Sequence, residues 1–345
     1  MKTGKTSSLV PVLLMVVLGA LFPGVPAQAA EKTIELRLAH MFPQTSPSGQ
    51  LTEAWAKRIA TDSKNGLTVR VFPVNTLITP PQMYDAVAAG AADISFSFRY
   101  APKGQPVGVT LPFILGASDT ATAGRVYDDL WSKFPKVMAE EWKEVKVLWL
   151  APSQFQVIAT RKPVRGLDDL KGLQLRVPSK EMGEMVKELG AVPVFMSVPD
   201  FIVGMEKGTV DGCVILPAAI QDNKLGGKIK YILNMSMGVS APVMMIMNRD
   251  SYDRLPADLK SVIEKNNQFG KEATTQLWIE AYENNLKYFK AEGVEIIEPT
   301  PQERARITAG VERVRDRVGA DLDAKGHPGT EIVRFIRQRV EYYRN

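Results

Sequence analysis

MYDAVAAGAADISFSF, residues 83–98, is the stretch that decides the fold, because it contains a helix, the end of that helix and a strand. Apolar residues at helical spacing lead to Gly90, and a strict alternation follows Asp93. A glycine at this point permits the left-handed turn that commonly ends a helix. The stretch therefore predicts the second half of a β-α-β unit.

The residues before this stretch supply the rest of a parallel sheet. Residues 34–39 and 67–72 alternate as strands do, and residues 49–65 repeat apolar side chains at helical spacing. Strand, helix, strand, helix, strand is the order that produces parallel strand pairs. The first third of the chain thus predicts an α/β fold.

The same order of elements returns later in the chain. Strands are predicted at residues 173–177, 192–195 and 211–215, with helices at 180–189 and 199–207 between them. The second of these helices leads into Gly208-Thr209-Val210-Asp211, which matches Gly90-Ala91-Ala92-Asp93 in the first half. Two halves with matching units predict two similar lobes.

The lobes need connections, and residues 150–155 and 238–243 are the candidate crossovers. Pro256 then begins a predicted helix that runs to about Ala291, with Gly270 as a point where it can bend. At about 1.5 Å per residue, such a helix is long enough to brace both lobes. The predicted domains are lobe 1 at residues 30–153 plus about 241–290, and lobe 2 at residues 154–240 plus part of 291–345.

Residues 1–29 have the layout of a secretory signal peptide. Lys2 and Lys5 precede an apolar stretch over residues 9–22, and Ala27-Gln28-Ala29 is a typical cleavage site. The apolar stretch is shorter than the ~20 residues that span a bilayer. The sequence therefore predicts export of the chain, and no later segment has the composition of a membrane span.

The composition argues against several classes of chemistry. Cys213 is the only cysteine and there are two histidines, so no intramolecular disulfide and no metal-ligand spacing is available. The formal net charge is +5 with both signs interspersed, which is not the pattern of a nucleic-acid-binding surface. Nucleophile-elbow and phosphate-loop motifs are absent from the mature chain. We therefore predict no cofactor, no metal and no enzymatic activity, although paired catalytic carboxylates leave no mark in a sequence.

Residues 170–178, LKGLQLRVP, resemble the DctP-type solute receptors of tripartite ATP-independent periplasmic (TRAP) transporters. The similarity covers almost all of the mature chain, from Arg37-Leu38-Ala39-His40 through residues 208–212 to Met247-Asn248-Arg249-Asp250. It implies a two-lobed periplasmic binding protein fold with mixed sheets, hinge crossovers and a long bracing helix. It also implies a monomeric periplasmic receptor that delivers an organic acid to a TRAP membrane permease.

The resemblance also implies that Arg176 pairs with the carboxylate of the ligand. A guanidinium offers a planar fork of donors and stays charged when desolvated. The alternative is a structural ion pair within the lobe. Where many relatives carry a second arginine, this chain has Gln156, with Gln154 nearby. One cationic anchor is therefore missing, and we expect a monocarboxylate with an apolar or aromatic body.

The remaining candidate ligand contacts lie where predicted strands end. Arg99 is either a replacement charge or a surface arginine. The expected apolar wall of the pocket, whose members are equally compatible with the core, consists of Phe98, Phe155, Phe195, Phe201, Leu216 and Pro217. Asp211 is expected to brace the fold, and His40 to bond to the backbone.

Three other hypotheses remain open from the sequence. The first is a receptor for a C4-dicarboxylate or a hydroxy acid, with Arg99 or a glutamine at the second polar end. The second is an exported enzyme acting on an organic acid, which turnover of the bound acid or paired carboxylates in the cleft would indicate. The third is a receptor that reports its ligand to a membrane sensor.

Overall fold

The computed structural model describes residue 1 and residues 33–98, 120–238 and 242–344. Residues 2–29 of the predicted signal peptide and Arg99 lie outside these ranges. The described chain forms two mixed β-sheets flanked by helices, so the predicted α/β class is confirmed. No helix in the described ranges combines the length and the hydropathy that crossing a bilayer requires.

The first sheet is built from five strands of the described chain. They are β1 (Ile34–His40), β2 (Leu67–Phe72), β3 (Ile94–Phe98), β4 (Val145–Ala151) and β10 (Val243–Asn248). Their order is β2-β1-β3-β10-β4, with β1 parallel to β2 and β3, and with β10 antiparallel to β3 and β4. The helices beside these strands in the chain are α1 (Pro47–Asp62), α2 (Met83–Ala88), α3 (Thr120–Lys133), α4 (Pro135–Glu141) and α8 (Arg249–Asp253). We call this assembly lobe 1.

The second sheet has six strands in the described ranges. They are β5 (Val157–Thr160), β6 (Gln174–Val177), β7 (Val192–Phe195), β8 (Gly212–Ile215), β9 (Tyr231–Leu233) and β11 (Glu295–Ile297), in the order β11-β9-β5-β8-β6-β7. Its helices are α5 (Lys180–Glu188), α6 (Val198–Lys207), α7 (Pro217–Asp222) and α10 (Pro301–Asp323). We call this assembly lobe 2. The last helix, α11 (Gly329–Arg344), packs on α10 and α3.

Both faces of each sheet are covered, because alternate residues of a strand enter different cores. In lobe 1, Leu38 packs with α1 on one face, and Ala39 packs with α2 on the other. In lobe 2, Leu175 packs with α5 and α10, and Cys213 packs on the opposite face with α6. Because both faces of each sheet are covered, these strands contain runs of apolar residues.

The repeated Gly-x-x-Asp segments perform the same structural task in both lobes. Gly90 and Gly208 have positive φ angles of 77° and 72°. The carboxylate of Asp93 then accepts a hydrogen bond from the backbone N–H of Arg37 on β1, at 2.8 Å. Asp211 accepts one in the same way from the backbone N–H of Gln174 on β6, at 2.9 Å. Each aspartate therefore holds two parallel strands in register, which is the bracing role expected of Asp211.

The two sheets are joined by two crossovers and one long helix. Residues 152–156 lead from β4 to β5, and the second crossover, described at residues 234–238 and 242, joins β9 to β10. The crossovers bond to each other, because the backbone N–H of Gln156 donates to the carbonyl of Gly238 at 2.9 Å. The third connection is α9 (Ala257–Ala291), which packs on α1 and β4 in lobe 1 and on α7 and β11 in lobe 2. The predicted hinge crossovers and bracing helix are confirmed.

Gly270 does not end the long helix, which is continuous through this position. A Cβ atom there would lie 2.5–2.7 Å from three ring carbons of Trp149, so the glycine allows α9 to approach β4 closely. Close packing against Trp149 therefore explains why a glycine occupies this position. The sequence analysis named Gly270 as a point where the helix can bend, and that is not its role.

We predict that Gly270→Ala destabilises the protein even though alanine is the better helix former. Alanine gains about 1 kcal/mol of helix propensity, but a methyl group forced against Trp149 costs roughly 1–3 kcal/mol through displaced packing. Urea unfolding monitored by circular dichroism measures the difference. Gly227→Ala is the matched control, because no atom lies within 4 Å of a Cβ there. A Gly270→Ala protein more stable than wild type would contradict the packing argument.

Candidate functional site

Arg176 lies on β6, between Cys213 of β8 and Val194 of β7. Its neighbours Leu175 and Val177 enter the core formed with α5 and α10, so the arginine side chain points to the opposite face of the sheet. Only 8% of the residue is exposed. Parallel strands β6 and β8 end at this edge, and ligand sites of α/β proteins lie at such edges.

The guanidinium of Arg176 is bonded to backbone carbonyls rather than to an acid. Nε donates to the carbonyl of Met196 at 2.9 Å, and Nη1 donates to the carbonyl of Val214 at 3.3 Å. Among the described residues no carboxylate pairs with it, and Nη2 makes no hydrogen bond. Burial lowers the pKa of Arg176, but an arginine remains charged under physiological conditions. The arrangement holds a buried cation in place and leaves part of its donor fork for an anion.

The two glutamines of the first crossover have different surroundings. Gln154 is fully buried, and its Nε2 donates to Asn285 Oδ1 of α9 at 2.8 Å. Its Oε1 accepts from the backbone N–H of Ala218 in α7 at 2.9 Å. Gln156 is 2% exposed, and its side-chain amide makes no hydrogen bond with the described part of the chain. Gln154 is therefore occupied by the fold, whereas the amide of Gln156 remains free to bond to a ligand.

The aromatic candidates of lobe 2 are dispersed. Phe155 is buried in the first crossover, with its ring 4.9 Å from that of Tyr282 on α9. Phe201 is 1% exposed in the core around α6, whereas Phe195 is 62% exposed on the edge strand β7. Leu216 and Pro217 follow β8 directly at the edge that holds Arg176. That any of these residues contacts the ligand remains a prediction.

Lobe 1 presents an aromatic cluster at the carboxyl ends of β1 and β3. Phe98 lies 6.0 Å from Phe42 and 5.7 Å from Trp278 of α9, measured between ring centroids. Of these, only Phe98 was a candidate from the sequence. Sequence reasoning could have found Phe42, because it follows a predicted strand at the same edge of the sheet. It could not have found Trp278, because this residue looks like any other apolar residue of a long helix. Arg99, the next residue after Phe98, lies outside the described residues.

His40 ends β1 beside this aromatic cluster and is completely buried. Its Nδ1 accepts from the backbone N–H of Phe42 at 3.3 Å, as expected from the sequence, so the proton of the neutral ring is assigned to Nε2. That Nε2 has no hydrogen-bond partner in the described chain. Burial lowers the pKa of His40, which favours the neutral ring. Sequence reasoning did not identify this donor, because an unsatisfied ring nitrogen is a property of the packing.

Among the described residues, no group of histidine, cysteine, aspartate and glutamate side chains is arranged to hold a metal ion. The hydrogen-bond donors without a full set of partners are the guanidinium of Arg176, the amide of Gln156 and the imidazole of His40, with aromatic and aliphatic side chains around them. Such a set suits hydrogen bonding to an anionic organic molecule.

Comparison with known proteins assigns a family. The model of bacterial extracellular solute-binding protein family 7 (DctP) matches residues 38–321. The C4-dicarboxylate-binding periplasmic protein DctP of Rhodobacter capsulatus is 26% identical over 318 residues, which cover 87% of this chain and 91% of that protein.

Two solved structures share the fold. A marine metagenome TRAP solute binding protein specific for aromatic acid ligands has a TM-score of 0.78 and 23% identity, covering 90% of this chain and 100% of that one. A TRAP solute binding protein from Rhodoferax ferrireducens, in complex with copurified benzoate, has a TM-score of 0.74 and 21% identity, covering 90% and 98%.

We predict that Gln154→Ala lowers the free energy of unfolding of the ligand-free protein by about 1–3 kcal/mol, because a buried acceptor on Asn285 and a half-buried donor at Ala218 lose their partner. Gln156→Ala is the matched control, since it removes the same side chain from the same crossover without breaking a described hydrogen bond. Chemical denaturation measures both variants. Equal destabilisation by the two substitutions would refute the bridging role of Gln154.

We also predict that His40 makes stability fall as the pH is lowered from 7.5 to 5. Because burial lowers its pKa in the folded state, the unfolded chain, with a pKa of about 6.5, takes up the proton first. The stabilisation is therefore present above that value and lost as the pH falls towards the folded-state pKa. Urea unfolding across this range should show a flatter profile for His40→Gln than for the wild type. Identical slopes for the two proteins would contradict a lowered pKa of His40.

Proposed function

We propose that this chain, which belongs to bacterial extracellular solute-binding protein family 7, is a TRAP receptor whose ligand is a monocarboxylate with an aromatic or otherwise apolar body. Members of this family are periplasmic proteins that bind small organic acids and work with a membrane permease. The proposal concerns the kind of acid and the residues that hold it.

The observation that carries the proposal is the state of the Arg176 side chain. A buried cation is costly unless a charge compensates it, and carbonyls of Met196 and Val214 orient the guanidinium without neutralising it. A carboxylate that bonds to the free part of the fork supplies both the charge and the missing hydrogen bonds. The ion pair then forms in a site with little water, where it is stronger than at the surface.

The lobe 1 edge suggests the body of the ligand. Phe42, Phe98 and Trp278 offer apolar surface, and the additional donors, His40 and Gln156, are uncharged. Uncharged donors suit a hydroxyl or carbonyl group better than a second carboxylate. Solved proteins of this fold bind aromatic acids and benzoate, but at this identity the likeness shows the fold alone.

Lobe closure is the proposed mechanism. Arg176 belongs to lobe 2 and the aromatic cluster to lobe 1, so a ligand that bonds to both stabilises the closed arrangement by its differential affinity. The two crossovers and α9 are the only chain connections between the described sheets, and closure has to occur around them. The closed receptor, acting as a monomer, would then deliver the acid to the permease.

A C4-dicarboxylate is the second candidate, and the Rhodobacter capsulatus relative favours it. It requires a second cation in addition to Arg176. Arg99 is the candidate that the sequence offers for that role. An exported enzyme is the remaining alternative of a different class, and conversion of the bound acid on incubation would support it.

We predict that benzoate or phenylacetate raises the melting temperature of the mature protein and that Arg176→Ala abolishes the effect. A ligand at 100 times its dissociation constant adds about 2.7 kcal/mol to stability. Arg176→Lys keeps the charge but loses the fork, so its affinity should fall by about tenfold or more. Arg165→Ala removes an exposed arginine of the same lobe and should bind as wild type does.

The same screen includes succinate and malate. Stabilisation by these acids alone would replace the monocarboxylate proposal with the dicarboxylate candidate. Unchanged benzoate affinity in Arg176→Ala would show that the carboxylate is held elsewhere.

A further inference from the structure

A cavity of about 660 Å³ lies between α10, α11 and the two crossovers, and Arg176 is not among its lining residues. The first crossover contributes Phe155, and the second contributes Met235 and Ser236. Its size is within the range of roughly 300–1,000 Å³ that small-molecule sites occupy. The cavity is therefore large enough for a ligand of its own.

The polar feature that distinguishes this cavity is Arg315 of α10. The residue is 5% exposed and lines the cavity. Its Nη1 donates to the carboxylate of Glu312, but its buried Nε has no partner in the described chain, and Nη2 makes no hydrogen bond there. Nε and Nη2 form the side of a guanidinium that binds a carboxylate through two parallel hydrogen bonds.

Arg315 belongs to a network of two arginines and two carboxylates. The Glu312 carboxylate that pairs with it also accepts from Nε of Arg337 on α11. Arg337 in addition pairs with Asp316 at 2.7 Å. Burial lowers the pKa of Arg315, which is the sign of a cation that lacks solvation. Asp316 also attracts Arg315, so two carboxylates balance the two arginines, and what Arg315 lacks is a hydrogen-bond partner for Nε and Nη2.

The walls restrict the kind of anion. Val311, Val333, Ile336 and Val340 supply apolar surface from α10 and α11, and Phe155 adds an aromatic ring. The third arginine of the lining, Arg304, is paired with Glu298 at 3.1 Å. Glu312 and Glu341 also line the cavity, and their negative charges disfavour a second carboxylate on the ligand.

We propose that this cavity is a second ligand site, which binds an apolar monocarboxylate through the Nε and Nη2 edge of Arg315. The site does not contain Arg176, and Phe155 is the one sequence candidate for the transport pocket that also lines it. It differs from the cleft in position, since it lies on the face of lobe 2 covered by α10, whereas Arg176 points to the opposite face.

The test is a titration of 4-fluorobenzoate followed by ¹⁹F NMR in the mature protein carrying Arg176→Ala. We expect a saturable site that Arg315→Gln weakens by about tenfold or more, as for the loss of a hydrogen bond to a charged group. Arg313→Gln is the matched control, because Arg313 is an exposed arginine of the same helix that pairs with Glu188. It should leave the titration unchanged.

A second variant keeps the test valid if Arg315→Gln fails to fold. Thr308 is exposed and lines the cavity, so Thr308→Phe fills the space without removing a buried charge and should also abolish the binding. Circular dichroism confirms that each variant is folded. The proposal is overturned if the Arg176→Ala protein does not bind 4-fluorobenzoate, or if its binding survives both Arg315→Gln and Thr308→Phe.

Discussion

The hydrogen bonds of Gln154 hold together the region on which the two-lobed structure depends. Where the chain leaves one sheet for the other, its polar groups have no strand partners, and burial denies them water. Gln154 connects the first crossover to Asn285 of the long helix and to the first turn of α7. Asn285 in turn donates to Gln221 at the end of α7. The bond between Gln156 and Gly238 adds the second crossover. The connections between the lobes thus form one network rather than three separate linkers.

Both buried arginines of the described chain keep hydrogen-bond donors that have no partner there. Arg176 is held by carbonyls alone, and Arg315 donates only to Glu312, which also pairs with Arg337. They lie on opposite faces of lobe 2, one towards α6 and the other towards α11. A guanidinium that is already oriented and has donors to spare needs less reorganisation to bind an anion, which is the physical basis of both proposed sites.

Much of the fold could be predicted because periodicity and helix ends are local signals. The strands at residues 67–72 and 192–195 match the predicted bounds, and the long helix begins one residue after Pro256. The predicted helix at 49–65 instead spans Pro47–Asp62, because the side chain of Ser46 caps it through the N–H of Gly49. Strands β4, β5, β9, β10 and β11 were not predicted as strands. The apolar residues of the first four are covered on both faces, so these strands carry no alternation, and their pairing joins segments far apart in the chain. β11 has only three residues, too few for a pattern.

The sequence by itself determined the α/β class, the two matching units, the helix that braces them and the family, because each depends on neighbouring residues or on motif order. The family resemblance singled out Arg176, and its place at the end of a strand follows from the local pattern. Only the tertiary structure decided that Gln154 is occupied by Asn285 and Ala218 whereas Gln156 is free, that Gly270 faces Trp149, and that Nε2 of His40 and Nε of Arg315 lack partners. These properties depend on which distant side chains share one buried space, and hydrogen-bond satisfaction there is set by three-dimensional packing that no local pattern records.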